Sequence, residues 1–279
     1  MLALRAGVDL DITYEPAYMG PLIENVQEGR VPMELVDRAV RRVLELKFRL
    51  GLFEHPYADL NHAQQVMHSS EHQQLALQAA REGVVFLKND NNVLPLKKDL
   101  KSIAVIGPNA DSSENLFGDY APAVVLQHVE TILDGIKSKV SSTTRVVYAR
   151  GSAVNDQDRS GFAKALEAAK NASVAIVVVG EQARRRSASD LTPPTDGEGY
   201  DVASLDLTGV QEDLIRAVRA TGTPVVLVLI NGRPLSIPWE ADHVPAIVEA
   251  WEAGEQGGYH PSMGPEKTVA CWCAIDRRD

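Results

Sequence analysis

The run Asp196-Gly197-Glu198-Gly199-Tyr200-Asp201 sets a carboxylate between two glycines, in a loop that follows a strand-like stretch and precedes a helical one. Glycine on either side frees the backbone and lets it come close to a ligand. A carboxyl group presented in this way suits general acid–base work, protonating a leaving group and then drawing a proton from water. Glu198 is therefore the leading candidate for chemistry. Glu181 is the second, because it stands where the apolar run Val174 to Val179 ends and the same polar loop begins. An acid at a strand end also serves as a cap for the loop, and a glutamate between glycines is also an ordinary solvated charge.

The elements that must position these acids are read from period and punctuation. In 279 residues there is room for one large domain or two unequal ones. Hydrophobic residues at 44% and charged residues at 24% match a globular enzyme rather than a low-complexity segment. A formal charge of −10 offers no basic face to a phosphate backbone, so nucleic acid is not an expected partner. Apolar runs such as Val225 to Ile230 are too short to cross a bilayer, and the first residues carry no basic-then-apolar signal pattern, which leaves the compartment open. Cys271 and Cys273 give neither a zinc set nor a disulfide framework, and no structural metal is expected.

From Met33 to Leu50, Val36, Val40, Val43 and Leu44 recur at helical spacing, with Arg38, Arg41, Arg42 and Arg49 on other positions. Interleaved Glu34, Asp37 and Glu45 make that basic face a solvated one, and Gly51 marks its end. After the proline-bearing segment Phe53 to Asp59, a second helix is expected from Ser69-Ser70-Glu71 to Gly83. The period then changes. Val84 to Leu87, Ile103 to Ile106, Val146 to Tyr148, Val174 to Val179, Val225 to Ile230 and Ile247 to Trp251 read as strands. Helices are expected at Ser160 to Asn171 and Gly209 to Thr221, an alternation that implies a mostly parallel sheet with helices on both faces. Ligands of such sheets bind at the carboxyl ends of the strands. Of those ends, Ile106-Gly107-Pro108-Asn109 lacks the glycines and donors of a dinucleotide loop. Ile230-Asn231-Gly232-Arg233-Pro234 reads as a tight turn in which Asn231 and Arg233 are as readily structural as functional.

Several stretches, in order, resemble glycoside hydrolase family 3, the retaining β-glucosidase and β-xylosidase family. They are Ala6-Gly7-Val8-Asp9-Leu10-Asp11, Val36 to Leu44 with Lys47 to Phe53, Ala80 to Asn89, Leu94-Pro95-Leu96, Ile106 to Ala110, Gly118-Asp119-Tyr120, Asp206-Leu207 opening the next helix, Val228 to Leu235, and Ala250 to Gly258. The resemblance implies an α/β fold: the C-terminal remnant of a β/α barrel over residues 1–58, a linker over 59–69, and an α/β sandwich over 70–258. Residues 259–279 depart from the family and read as a frame change or cloning junction.

By the same resemblance, Glu198 is the general acid/base, working opposite an aspartate nucleophile in a serine-aspartate pair that would precede Ala6. Nothing equivalent occurs in this sequence, and Asp9 and Asp11 match a different segment. The implied reaction is hydrolysis of terminal, non-reducing β-linked glucose or xylose by double displacement, without a metal or organic cofactor. Expected partners are β-linked gluco- or xylo-oligosaccharides and aryl glycosides, with self-association through exposed barrel surface. A non-catalytic sugar-binding or interaction module is the alternative. A nucleotide-binding regulator lacks its phosphate loop. Gln182 to Thr195 departs from the family's small glycine-rich form, and Arg184, Arg185 and Arg186 receive no role.

Overall fold

The computed structural model describes residues 2–12, 18–121, 129–183 and 193–258, so Arg184, Arg185, Arg186, Cys271, Cys273 and the whole 259–279 tail lie outside the described residues. The chain divides into two compact units, Met1–Ser69 and Ser70–Asp279. Among the described residues no helix is long and apolar enough to cross a membrane.

The first unit is helical: α1 (Leu2–Ala6), α2 (Gly20–Gln27), α3 (Met33–Arg49) and α4 (Leu60–Val66). Helix α3 ends as expected, with Gly51 at φ +66 and the Leu52 N–H donating to Lys47 O at 3.1 Å, a left-handed stop that satisfies a terminal carbonyl. Asp59 starts α4 by accepting the N–H groups of Asn61 and His62 at 2.9 and 3.2 Å. The core of this unit is small, built on Leu4, Val31 and Ala39 with Leu22, Val26, Leu35 and Val36 packed around them. The apolar stripe expected along α3 is only partly used. Ala39 is its one buried residue, while Val40 and Leu44 remain 50% and 41% exposed. Periodicity reports which residues share a face, not whether anything covers it.

The second unit contains α5 (Ser70–Gly83), β1 (Val85–Asn89), β2 (Ser102–Ile106), α6 (Ile132–Lys139), β3 (Arg145–Ala149), α7 (Phe162–Lys170), β4 (Val174–Gly180), α8 (Gln211–Arg219), β5 (Val225–Ile230), α9 (Pro238–His243) and β6 (Ala246–Glu249). The strands form one six-stranded sheet in the order β1-β6-β5-β4-β2-β3. All neighbours are parallel except β1, which pairs antiparallel with β6, Val85 opposite Glu249 and Asn89 opposite Ala246. The fold is thus a mixed α/β one around a mostly parallel sheet.

Strand β4 shows why the apolar runs are continuous. Val174, Ile176 and Val178 join one core with α5 and α6, while Ala175, Val177 and Val179 join the other with α7 and α8. Both faces are covered, so both sets of alternate residues must be apolar. Each fully buried valine, leucine or isoleucine adds roughly 1.5–3 kcal/mol. Helix α6 opens with a capping box, in which the Thr131 hydroxyl accepts the Asp134 N–H at 3.2 Å and the Asp134 carboxylate receives the Thr131 N–H at 3.4 Å. Helix α8 starts at Gln211 rather than at Asp206-Leu207, because Asp206 is drawn into a parallel bridge with Ser236. Strand β6 stops at Glu249, two residues before the expected end, where Trp251 turns to φ +55.

Candidate functional site

Parallel pairing of β2, β4, β5 and β6 puts the four segments that follow them at one edge of the sheet. These carry Asn109 to Tyr120, Glu181, the loop that returns through Asp196 and Glu198, the turn Asn231 to Arg233, and Trp251 to Gly258. Sequence distance hides the cluster. The strand order creates it.

Glu198 sits exposed at the tip of its loop, with Gly197 at φ +97 and Gly199 at φ +77. At Gly197 any other residue would be strained, and a Cβ would lie 2.9 Å from the Asp119 carboxylate. That carboxylate accepts the Glu198 N–H at 2.6 Å, and the Tyr120 hydroxyl donates to the Glu198 carboxylate. The bond to an anionic acceptor raises the Tyr120 phenol above its ordinary pKa. Both partners come from the segment after β2.

Glu181 is placed differently. It is 4% exposed, its N–H donates to Ile230 O at 2.8 Å, and its carbonyl accepts from Asn109 Nδ2 at 3.1 Å. Asn115 Nδ2 in turn donates to Asn109 Oδ1 at 2.8 Å. Arg233 Nε lies 3.1 Å from Glu181 Oε1. Burial, and then the negative charge of Asp196, push the Glu181 carboxyl up to about 8 against the opposing pull of Arg233. Among the described residues, Glu181 Oε2 and Asp196 Oδ1 are buried without a hydrogen bond.

The loop between them is fastened to the turn after β5. Asp196 Oδ2 accepts the Gly232 N–H at 2.8 Å. Arg233 Nη2 donates to Thr195 O at 2.7 Å and to Tyr200 O at 2.9 Å, the carbonyls on either side of Gly197-Glu198-Gly199. Thr195 also pairs with Gln182, its N–H donating to Gln182 O at 2.9 Å and its hydroxyl accepting the Gln182 N–H at 3.0 Å. Further along, Ser236 N donates to Leu205 O at 2.8 Å. The end of β4 is itself tied to α8 by the buried Gln211 side chain, which accepts the Gly180 N–H at 2.9 Å and donates to Gly180 O at 2.8 Å.

Two further carboxyl groups border the cluster. Glu252 is half-buried and is pushed up to about 7 by burial and by the charges of Asp196 and Asp119. It lies beside Gly232, where a Cβ would fall 3.4 Å from its Oε2 and too close, 2.8 Å, to Asp196 Oδ2. Glu249 is buried and pushed up to about 7, chiefly by burial, while it accepts the Trp251 N–H at 3.1 Å. Asn231 Nδ2, donating to Arg233 O at 2.8 Å and reaching Glu249 Oε2 at 3.4 Å, joins that residue to the turn. Among the described residues no group of three or more His, Cys, Asp or Glu is disposed to hold a metal ion.

The two acids singled out in the sequence thus occupy one neighbourhood in different settings, Glu198 at the surface and Glu181 beneath it. Asp196, Arg233, Tyr120, Asp119, Asn109 and Glu252 complete it without having been assigned roles. All six stand in stretches already noted, so their signal was present without its meaning. Asp9 and Asp11 belong to the first unit, where Asp9 pairs with Arg42 at 3.1 Å.

Residues 84–261 match the glycosyl hydrolase family 3 C-terminal domain. A β-xylosidase of Formosa agariphila is 36% identical over 274 residues, covering 92% of this chain and 36% of the relative. A periplasmic β-glucosidase of Salmonella typhimurium is 38% identical over 289 residues, covering 92% of this chain and 35% of the relative. Among solved structures, a β-glucosidase involved in saponin metabolism from intestinal bacteria aligns at TM-score 0.75 and 30% identity, over 92% of this chain and 39% of that one. The β-glucosidase of Listeria innocua in complex with isofagomine aligns at TM-score 0.73 and 29% identity, over 92% of this chain and 34% of that one. The chain spans about a third of the length of the curated relatives it matches.

Proposed function

The chain belongs to glycosyl hydrolase family 3 through its C-terminal domain, and from that premise we propose that it supplies the acid/base half of a β-glucosidase or β-xylosidase site, with Glu198 as the acid/base. The observation that carries this reading is the presentation of Glu198. Its carboxylate is exposed at the carboxyl edge of a parallel sheet, flanked by two left-handed glycines and held through Tyr120 and Asp119. A general acid must reach the glycosidic oxygen. Glu181, buried beneath Arg233, is the less suited of the two acids.

In a retaining mechanism two carboxyl groups stand about 5–5.5 Å apart. The protonated Glu198 gives its proton to the departing oxygen while the second carboxylate attacks the anomeric carbon. Glu198, now ionised, then takes a proton from water, and that oxygen displaces the enzyme carboxylate. In this reading the nucleophile comes from outside these 279 residues. Substrates are terminal β-linked glucosides or xylosides, as the names of the relatives suggest. Those names also favour hydrolysis over a purely sugar-binding module.

The test is turnover of aryl β-glucoside and aryl β-xyloside by this chain joined behind the barrel portion of a family 3 relative, with and without Glu198→Gln. Loss of about 10²- to 10⁴-fold is expected on replacing a general acid/base. Unchanged turnover would remove Glu198 from the mechanism.

A further inference from the structure

We infer that Arg233 is the positioning residue for Glu198, clamping both stems of the acid/base loop to the ends of β4 and β5. The two carbonyls it binds through Nη2, Thr195 O at 2.7 Å and Tyr200 O at 2.9 Å, bracket Glu198 by three residues on one side and two on the other. Its Nε rests at 3.1 Å on Glu181 Oε1. Glu181 is fixed in turn by its own backbone, through Ile230 O at 2.8 Å and Asn109 Nδ2 at 3.1 Å. One planar guanidinium therefore links the loop carrying the reacting carboxyl to the rigid core.

The neighbouring contacts agree on the same register. Gly232, the residue before Arg233, donates to Asp196 Oδ2 at 2.8 Å, which pins the near stem at a second point. Asn231 Nδ2 donates to Arg233 O at 2.8 Å, so the turn that delivers the guanidinium is held internally. The Arg233 side chain is largely buried; Nη2 makes both loop hydrogen bonds, while Nε meets Glu181 as an ion pair without a hydrogen bond. Lysine has one nitrogen at the end of a flexible stem and cannot occupy the Nε and Nη2 positions at once. The position thus calls for arginine by shape as well as by charge.

The inference separates two things a charged residue does. If Arg233 acted only as a positive charge beside Glu181, Arg233→Lys would serve. If it acts as a clamp, Arg233→Lys and Arg233→Gln both release the loop. The first measurement is amide hydrogen exchange on the 279-residue chain, comparing the segment 195–201 with peptides from β4 and β5. Loss of two hydrogen bonds predicts about tenfold faster exchange in the loop segment in both variants. Exchange in the strand peptides should be unchanged, which shows that the fold is intact. Wild-type protection of the loop in either variant overturns the clamp, and so does loss of protection that spreads equally through β4 and β5.

The second measurement rests on the reading of Glu198 as the acid/base and uses the chain joined to a barrel portion. A misplaced acid hurts substrates whose leaving group needs a proton and spares those whose leaving group does not. Arg233→Lys should therefore lower kcat/KM at least tenfold on an alkyl glucoside and less than threefold on a dinitrophenyl glucoside, following the pattern of Glu198→Gln. If Glu198→Gln shows that selectivity and Arg233→Lys slows both substrates alike, the clamp fails and the assignment of Glu198 stands. If Glu198→Gln lacks the selectivity, the assignment itself fails, while hydrogen exchange still decides whether Arg233 holds the loop.

Discussion

Replacing Glu181 by glutamine should make the second unit more stable near pH 8, although it removes a carboxyl group from beside an arginine. In the folded chain the Glu181 carboxyl is pushed from 4.5 up to about 8, first by burial and then by Asp196. Between those two values the folded state holds a proton that the unfolded state has released, so stability is full below about pH 4.5 and is lost as pH rises toward 8. At about 1.4 kcal/mol per pH unit the rise corresponds to a ceiling on the order of 5 kcal/mol. Glutamine is neutral at every pH, matches the protonated acid in shape, and carries no such dependence. Urea unfolding followed by circular dichroism at pH 5 and pH 8 should give nearly equal midpoints for the two proteins at pH 5. At pH 8 the variant should be ahead by about 2 kcal/mol or more, within that ceiling. A variant destabilised by about 3–5 kcal/mol at pH 8 would refute the reasoning, since that is the cost of breaking a buried ion pair in which Glu181 is charged.

Other expectations follow from the same geometry. Leu214→Ala, at a fully buried position of α8 facing the sheet, should destabilise the second unit by about 2–5 kcal/mol in the same unfolding assay. Gly197→Ala should displace the loop, because it sets a side chain at φ +97 against Asp119, and exchange of the amides at 195–201 should rise while β4 stays protected. Tyr120→Phe removes the hydroxyl that donates to Glu198 and, in the barrel-joined chain, should lower kcat/KM on alkyl glycosides by about threefold to tenfold with little effect on stability.

How much of this was legible in the sequence depended on whether the signal was local. Val174-Ala175-Ile176-Val177-Val178-Val179 could only be a strand covered on both faces, and the periods of α7 and α8 were plain. The short helices α6 and α9 carried too little period to stand out, and the clearest mark of α6 was the Thr131-to-Asp134 spacing of its cap. The direction of β1 was not written in Val85 to Asn89, because it is set by pairing with β6 some 160 residues away. On α3, Val40 and Leu44 announced an apolar face whose cover their spacing cannot describe.

The site divides in the same way. Glycines around Glu198 gave away its loop, since unusual backbone geometry leaves a local trace. Arg233 looked like one residue of a turn because its partners, Thr195, Tyr200 and Glu181, are brought to it by strand order alone. Glu181 was read as the start of a polar loop, yet the chain keeps it buried at the strand end beneath Arg233.

The assignment of Glu198 is tested most directly by Glu198→Ala and Glu181→Ala in the barrel-joined chain, each assayed on dinitrophenyl β-glucoside with and without azide. This substrate forms the glycosyl-enzyme without acid assistance, and azide then attacks the anomeric carbon without needing a base. Azide should restore turnover in Glu198→Ala and give the β-glucosyl azide, and should leave Glu181→Ala unaffected. Rescue confined to Glu181→Ala, or an α-configured product, would contradict the account.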